Sequence, residues 1–381
     1  MNDRRSIIQA ADYAPTYSGN FIASLKAAEE ECRARGYRMV WVFPDIVRNY
    51  AWFRDLSAEK DFTAYTLSRG VGWVANAKAL TRIALAENAA IIHTHFSTFD
   101  ISAWLAQAVC AVKLRRIKLV WHAHSAFTEN SPLRRAKDFL KLGLLGRSCQ
   151  VVPVSTALGE SVAERGCPRT RINVIDNGID IEHATGRRKT REDVRREWQI
   201  PEDALVMLSF GWTPVRKGVD TMLEALAILL QEKMNLALVI AGTDELQRFI
   251  ANWPDRDCLS RVRVIAPAES VGELFAASDL FLSPSRAEGW CYGVAEAMLN
   301  QIPVATAKIP PLSWANHAPG VYFCRPGDSP SLAASIRRIV ALPEAERRDT
   351  GECARKFVTE RYSARQWGRQ IWTLYERILA G

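Results

Sequence analysis

The sequence predicts an α/β protein built as two successive halves, each a parallel sheet with helices on both faces. Three observations carry this. The 381 residues are enough for two domains with separate cores, at roughly 100–200 residues each. Short β-branched runs alternate with amphipathic stretches of helical period, the pattern of a sheet covered on both sides. The alternation stops at a stretch dense in Arg and Glu, 181–199, and then restarts.

In chain order, the first half reads as strands at Ser6–Ala10, Arg38–Phe43, Ala90–His93, Ile117–His122, Gln150–Val154 and Ile172–Asp176. Helices fall between them at Asn20–Arg35, Gly72–Glu87, Thr98–Val112, Leu133–Leu145 and Thr156–Arg165. In the charged stretch, Thr190-Arg-Glu-Asp193 has the form of a capping box opening a short helix. The second half reads as strands at Ala204–Phe210, Leu236–Ala241, Val262–Ile265, Leu280–Ser283, Val304–Thr306 and Val321–Cys324. Its helices are Val219–Gln231, Glu245–Asn252, Val271–Ala277, Tyr292–Leu299 and Ser329–Ala341, with two more after Glu344. In the last, Trp367, Ile371, Leu374, Tyr375 and Ile378 recur at helical spacing, which marks a core face. No internal repeat or low-complexity tract interrupts the pattern. In open α/β sheets ligands bind beyond the carboxyl ends of the strands, so two such sheets facing one another would hold a ligand in the cleft between them.

Composition narrows the class. Hydrophobic content of 48% and charged content of 24% are globular values. No apolar run reaches the roughly 18 residues of a membrane span, and the apolar stretch after Met1 is too short for a secretion signal. The eight cysteines have no C-x-x-C spacing, which fits free thiols in a reducing compartment and a cytoplasmic location. Residues 1–180 carry 24 Lys+Arg against 17 Asp+Glu, and residues 181–381 carry 26 against 25, so the excess charge lies in the first half. Solubility accounts for it, and so does a surface facing something anionic, such as a phosphorylated acceptor or an acidic membrane leaflet. The stretch from Leu133 to Leu145, with Arg134, Arg135, Lys137 and Lys141 around an apolar stripe, fits either a helix packed on the sheet or a peripheral contact with an anionic membrane. No nucleic-acid motif or aromatic-interleaved basic stripe is present.

The richest segment is Ser283-Pro-Ser-Arg-Ala-Glu-Gly-Trp-Cys-Tyr-Gly-Val-Ala-Glu-Ala-Met298. It follows a strand and opens a helix, with Glu288 in the loop and Glu296 one turn into the helix. A loop carboxylate beside a helix N-terminus, with Gly289 allowing close approach, suits a ligand with hydroxyls at one end and phosphate at the other. The plainer alternative makes Glu288 a surface loop acid and Glu296 an exposed helix acid. The segment Phe210-Gly-Trp-Thr-Pro-Val-Arg-Lys-Gly218 also follows a strand and brings Arg216 and Lys217 to the same sheet edge, where cations neutralise a diphosphate. Asp176-Asn-Gly-Ile-Asp180 forms a turn between the halves, and Tyr17-Ser-Gly-Asn20 leads into the first helix.

Together, in this order and each at a strand end, these segments resemble the retaining glycosyltransferases of family 4, the "group 1" enzymes with the GT-B fold. The likeness spans nearly the whole chain and is densest from Asn173 to Met298. It implies an N-terminal, acceptor-side Rossmann-like domain at 1–185 plus the C-terminal helix 363–381 crossing back onto it, and a donor-binding Rossmann-like domain at 186–362. It implies transfer of a hexosyl-type sugar from a UDP-sugar first, a GDP-sugar second, to a saccharide, lipid-linked or natural-product hydroxyl. By the same resemblance Glu288 holds donor-sugar hydroxyls and Glu296 the ribose. Lys217 contacts the diphosphate. Gly211 lies in the turn before it, and backbone N–H groups of Gly289, Trp290, Cys291 and Tyr292 line the sugar and phosphate site. Gly19 sits near phosphate and acceptor. The family works without metal or other cofactor and retains configuration through an oxocarbenium-like state.

Three departures stand out. The family's Gly-Arg turn is Gly211-Trp212 here, leaving Arg216 as the substitute arginine; its Gly-Phe-Gly is Gly289-Trp290-Cys291, whose side chain narrows the donor pocket; and a later Gly-Gly is Pro310-Pro311. Four histidines form two pairs at strand ends, His93/His95 and His122/His124. They read as a four-imidazole metal site lacking any carboxylate or thiol, as hydrogen-bonded strand-end residues, or as cleft-lining residues. The family has a histidine after the strand near 117–122, which selects His124, then His122, as a contact for donor or acceptor. Asp255-Arg-Asp257 matches a metal-binding Asp-x-Asp in letters only, with no strand before it, and reads as a solvated turn. A P-loop, G-x-G-x-x-G and G-x-S-x-G are all lacking. The rivals to a transferase are another GT-B enzyme, such as a sugar-nucleotide epimerase, and a non-catalytic protein binding sugar nucleotides or acidic surfaces.

Overall fold

In a computed structural model, the protein is described for residues 4–127, 131–267 and 270–381, so Met1–Asp3, the start of the segment weighed above as a secretion signal, lie outside the described residues. The apolar runs form β1 (Ser6–Ala11), β2 (Arg38–Pro44), β3 (Ala64–Leu67), β4 (Ala89–His95), β5 (Lys118–Ala123) and β6 (Gln150–Pro153). They make one sheet in the order β3-β2-β1-β4-β5-β6, with every pairing parallel. A second sheet contains β7 (Leu205–Phe210), β8 (Leu236–Ala241), β9 (Val262–Ile265), β10 (Leu280–Ser283), β11 (Val304–Ala307) and β12 (Val321–Cys324), in the order β12-β11-β10-β7-β8-β9. It too is parallel throughout. The interior strands β1 and β8 are buried at all six positions, which is why β8 reads as a continuous apolar run and not as an alternating one. Renumbered from its own first strand, the second sheet repeats the order of the first. Each sheet therefore has one place where strand order reverses, between β1 and β4 and between β7 and β10. Crevices for ligands open at such places.

The chain divides into two compact units, Met1–Gly178 with Ala364–Gly381, and Ile179–Ser363. In the first unit the helix Ala364–Ala380 lies along the helix Gly19–Ala34. It buries Trp367, Ile371, Leu374 and Tyr375, the stripe expected from the sequence, with Ile378 partly covered. Each such side chain contributes about 1.5–3 kcal/mol by leaving water, which fixes this helix to the first unit although it is last in the chain.

Three local features differ from the sequence reading. Residues 172–176 form no strand; they run beside β6 through a single bridge, Val151 to Ile172, and two backbone hydrogen bonds. The helix expected over 133–145 is α-helical only at Pro132–Phe139, widens to a π-turn at Leu140–Leu144 and ends in a 3₁₀ turn at Leu145–Ser148. Gly143 and Gly146, weak helix formers, sit in these last turns. Leu133, Phe139, Leu140 and Leu144 of this segment are exposed while Leu142 is buried, so it packs on the sheet only in part. In the 181–199 stretch the capping box expected from the sequence is present. Thr190 caps the helix Arg191–Glu197 by accepting from the Asp193 N–H, and Arg191 and Arg195 both bind Asp279, at 2.5 and 2.7 Å. The edge strand β3 and the helix Ala51–Ser57 had no sequence counterpart.

Candidate active site

The second unit brings its acid and its base together where its strand order reverses. Lys217 stands at the end of the short helix Pro214–Lys217 following β7, and Glu288 in the loop following β10. Those strands are neighbours, so the side chains meet although 71 residues apart: Lys217 Nζ lies 2.6 Å from Glu288 Oε1. Glu288 is only 6% exposed, which rules out the plain surface-acid reading. Arg216 Nη1 approaches the other oxygen, Oε2, at 4.0 Å, while its Nε and Nη2 donate to Thr213 Oγ1. One buried carboxylate is thus flanked by two cations.

The two loops are also joined through their backbones. Arg286 N–H donates to Arg216 O at 2.8 Å, and the Arg286 guanidinium forks onto both Asp220 oxygens at 2.7 and 2.6 Å. Gly218 has φ +72°, and a Cβ there would come within 2.4 Å of Pro284 O, so only glycine lets the loops approach this closely. Arg286 and Asp220 were missed by sequence reasoning; an Arg inside the acidic segment and an Asp just after the Lys-Gly turn were the available signal.

The neighbouring predicted residues take different positions. Cys291 has φ +77°, the left-handed region where the family's glycine would stand, with Sγ 3.4 Å from Ser283 Oγ. Its thiol is pushed up to about 11, first by burial and then by the Glu288 charge. The Trp290 side chain is 1% exposed and stacks on Trp314 at 4.6 Å, accepting at its carbonyl from Trp314 Nε1. Its side chain is therefore core. Tyr292 opens the helix Tyr292–Leu299, Gly289 precedes it half-buried, and Glu296, at 6% exposure, is not the exposed helix acid of the plainer reading. Gly211 follows β7, where a Cβ would come within 2.8 Å of Ile240, so tight packing alone accounts for it. Asp255 caps the helix Arg256–Leu259 by accepting from the N–H groups of Asp257 and Cys258, in agreement with a solvated turn.

In the first unit, Gly19 begins the helix after β1 with φ +58°, at the other reversal of strand order. Beside it the four histidines gather. His93 and His95 end β4, His122 belongs to β5, and His124 follows it. His122 and His124 stack at 4.3 Å, and His93 lies parallel to His122 at 5.2 Å. Burial lowers all four: His93 and His124 to about 3, His95 and His122 well below their ordinary value. The rings are therefore neutral near pH 7. Ligating atoms of His93, His95 and His122 lie within 4.8 Å of one another, near enough for a divalent ion, but the rings stack face to face and spend every nitrogen except His122 Nε2 on hydrogen bonds. This favours the hydrogen-bonded reading over the metal one.

The chain has relatives among known proteins. Residues 26–183 match the family described as Glycosyltransferase Family 4, and residues 190–357 match Glycosyl transferases group 1. The fold and these matches define a glycosyltransferase of the GT-B type. The chain belongs to family 4, the group 1 enzymes. An N-acetyl-alpha-D-glucosaminyl L-malate synthase of Bacillus anthracis is 25% identical over 80% of this chain and 79% of its own. A glycosyltransferase from Rickettsia africae superposes with a TM-score of 0.80 at 18% identity, covering 99% of each chain. Anabaena HepE, solved in complex with UDP, gives 0.78 at 17% identity over 98% of this chain and 100% of its own.

Proposed function

We propose that the protein transfers a hexosyl-type sugar from a nucleoside-diphosphate sugar, UDP first and GDP second, to a hydroxyl of a saccharide, lipid-linked saccharide or natural product. Transfer proceeds with retention and without a metal. The observation that carries this is the Lys217–Glu288 pair, 2.6 Å apart with Arg216 alongside, at the reversal of strand order in the second unit. Lys217 and Arg216 supply the positive charge that a departing diphosphate needs, and such preorganised electrostatics is the largest single contribution to catalysis of this kind. Glu288 then exchanges its lysine partner for sugar hydroxyls, and Glu296 and the N–H groups at 289–292 hold ribose and phosphate. The bond from C1 to the phosphate oxygen breaks as the acceptor oxygen bonds C1 on the same face. The hydroxyl proton passes to the departing phosphate, leaving a nucleoside diphosphate and a glycoside.

A thermal-shift series with UDP, GDP, ADP and TDP and their sugars tests the donor half. A nucleotide at about 100 times its Kd adds about 2.7 kcal/mol, and the UDP series should shift most. No shift with any of them would remove the proposal. Conversion of the sugar nucleotide without an acceptor would favour the epimerase rival.

One observation adds a location. Leu133, Phe139, Leu140 and Leu144 are exposed beside Arg134 and Arg135, a pairing of apolar and cationic groups that fits an anionic lipid surface. Among the described residues no helix is long and apolar enough to cross a membrane, so the contact is peripheral. Co-sedimentation with phosphatidylglycerol vesicles but not phosphatidylcholine vesicles, lost in Phe139→Asp/Leu144→Asp, is the expected result; equal recovery in both contradicts it.

A further inference from the structure

Lys217 and Glu288 stand on two segments with little structure of their own. The helix that carries Lys217 is a single turn, Pro214–Lys217, too short to be stable by itself. Residues 284–291 belong to no helix or strand. The ion pair at 2.6 Å joins the two segments, but in the transfer reading that pair opens. Lys217 turns to the diphosphate and Glu288 to the sugar hydroxyls. Their spacing must then be kept by contacts that the donor does not displace.

One side chain supplies most of these contacts. Arg286 Nη1 donates to Val215 O at 2.6 Å and to Asp220 Oδ1 at 2.7 Å. Its Nη2 donates to Asp220 Oδ2 at 2.6 Å and to Thr221 Oγ1 at 3.5 Å. The Arg286 backbone N–H donates to Arg216 O at 2.8 Å, and Arg216 Nη1 returns a bond to Ala287 O at 3.4 Å. Asp220 lies in the first turn of the helix Val219–Gln231. Arg286 therefore holds the Lys217 turn on both sides of the left-handed Gly218, by two carbonyls before it and two side chains after it. Burial raises the Asp220 carboxyl, but the Arg286 fork and the Thr221 N–H outweigh it and hold the group below its ordinary value, so the fork persists near neutral pH.

Hydrogen bonding also separates Arg286 from the other two cations. Nη1 and Nη2 each carry two N–H groups, and all four have an acceptor inside the protein. The charge is opposed by Asp220, which the donor does not displace. Lys217 and Arg216 instead face Glu288, the acid that the donor re-pairs. Resting on the transfer reading above, we infer that Arg286 and Asp220 are positioning residues, whose fork fixes the spacing of Lys217 and Glu288 once the ion pair has opened.

Two variants test this. Arg286→Lys keeps a cation without the fork, and Asp220→Asn keeps the shape without the charge. Hydrogen exchange without nucleotide reads the N–H groups of Gly218 and Arg286, which bond Val215 O and Arg216 O. Both should exchange about 10-fold faster or more in each variant, the scale of a lost hydrogen bond to a charged group, while β7 and β10 exchange as in wild type. Unchanged exchange in both variants overturns the inference, whatever the protein transfers. Donor kcat/KM should fall about 10–10²-fold in Arg286→Lys, the scale of a catalytic group displaced by about 1 Å. In a Lys217→Ala background the same substitution should cost almost nothing further, because no lysine is left to place. An equal cost in both backgrounds, or tighter UDP binding in Asp220→Asn, would make Arg286 a direct diphosphate ligand and contradict the inference. Faster exchange with donor kinetics intact would reduce the fork to a structural contact and contradict it too. A wild type whose slow exchange is lost in both variants, but which binds no nucleotide and makes no glycoside, counts against the transfer reading alone. If Arg286→Lys does not fold, Asp220→Asn carries both measurements.

Discussion

The two units share one strand order and place opposite chemistry where that order reverses. In the second unit the loops after β7 and β10 bring formal charges together: Lys217 on Glu288, Arg216 beside it, Arg286 on Asp220. In the first, β1, β4 and β5 bring together Gln9 and four histidines, all neutral and hydrogen-bonded to each other and to Tyr375. Topology decides where a site forms; the residues at the strand ends decide what it binds. Charge that can be re-paired suits a diphosphate, whereas the neutral rings of the first unit have no charge to offer one.

Acid should separate the units most. The histidines of the first unit stay neutral when folded, His93 and His124 down to about pH 3, whereas an unfolded histidine takes up a proton below about 6.5. Their contribution holds above about pH 6.5 and is progressively lost as pH falls below it, because the unfolded chain then binds protons that the folded rings refuse. Hydrogen exchange at β1, β4 and β5 should accelerate over that window while β7 and β10 lag. Equal acceleration in both units would break the comparison.

Substitutions in the charged site come next. Lys217→Ala should slow transfer about 10²–10³-fold, the scale of one lost transition-state contact. It also leaves a buried carboxylate unpaired, so Lys217→Ala/Glu288→Gln should recover stability but not rate. Recovery of both would make the pair merely structural. Glu288→Ala should cost about 1.5–3 kcal/mol in donor kcat/KM, as for a hydrogen bond to a charged group; unchanged donor kinetics remove its sugar contact. The smallest effect belongs to Cys291→Gly. Relief of the left-handed backbone, about 1–2 kcal/mol, offsets the lost side chain, so a urea midpoint within about 1 kcal/mol of wild type is expected. A larger loss would mean the thiol carries packing that its place in the turn does not reveal.

What the sequence disclosed follows the same division. Strands buried on both faces, such as β8 and β10, appear as unbroken apolar runs and were read to the residue. The edge strand β3, Ala-Tyr-Thr-Leu, has one buried position in four and gave no such run. Glu288, Lys217 and Arg216 were singled out because each follows a strand, and adjacency of β7 and β10 brings them together. The histidine pairs were visible, but their partner was not: Gln9 and Tyr375 are 366 residues apart, and only the return of the last helix joins them. Trp290 entered the sequence reading through its backbone N–H alone, and nothing local announces the stack of its side chain on Trp314, 24 residues on.

Hydrogen exchange with and without UDP addresses the assignment of the nucleotide to the second unit most directly. UDP should slow exchange at the backbone N–H groups of 213–218 and 286–296 and leave β1, β4 and β5 as they were. Protection confined to the first unit, or none in those two loops at saturating UDP, would contradict it.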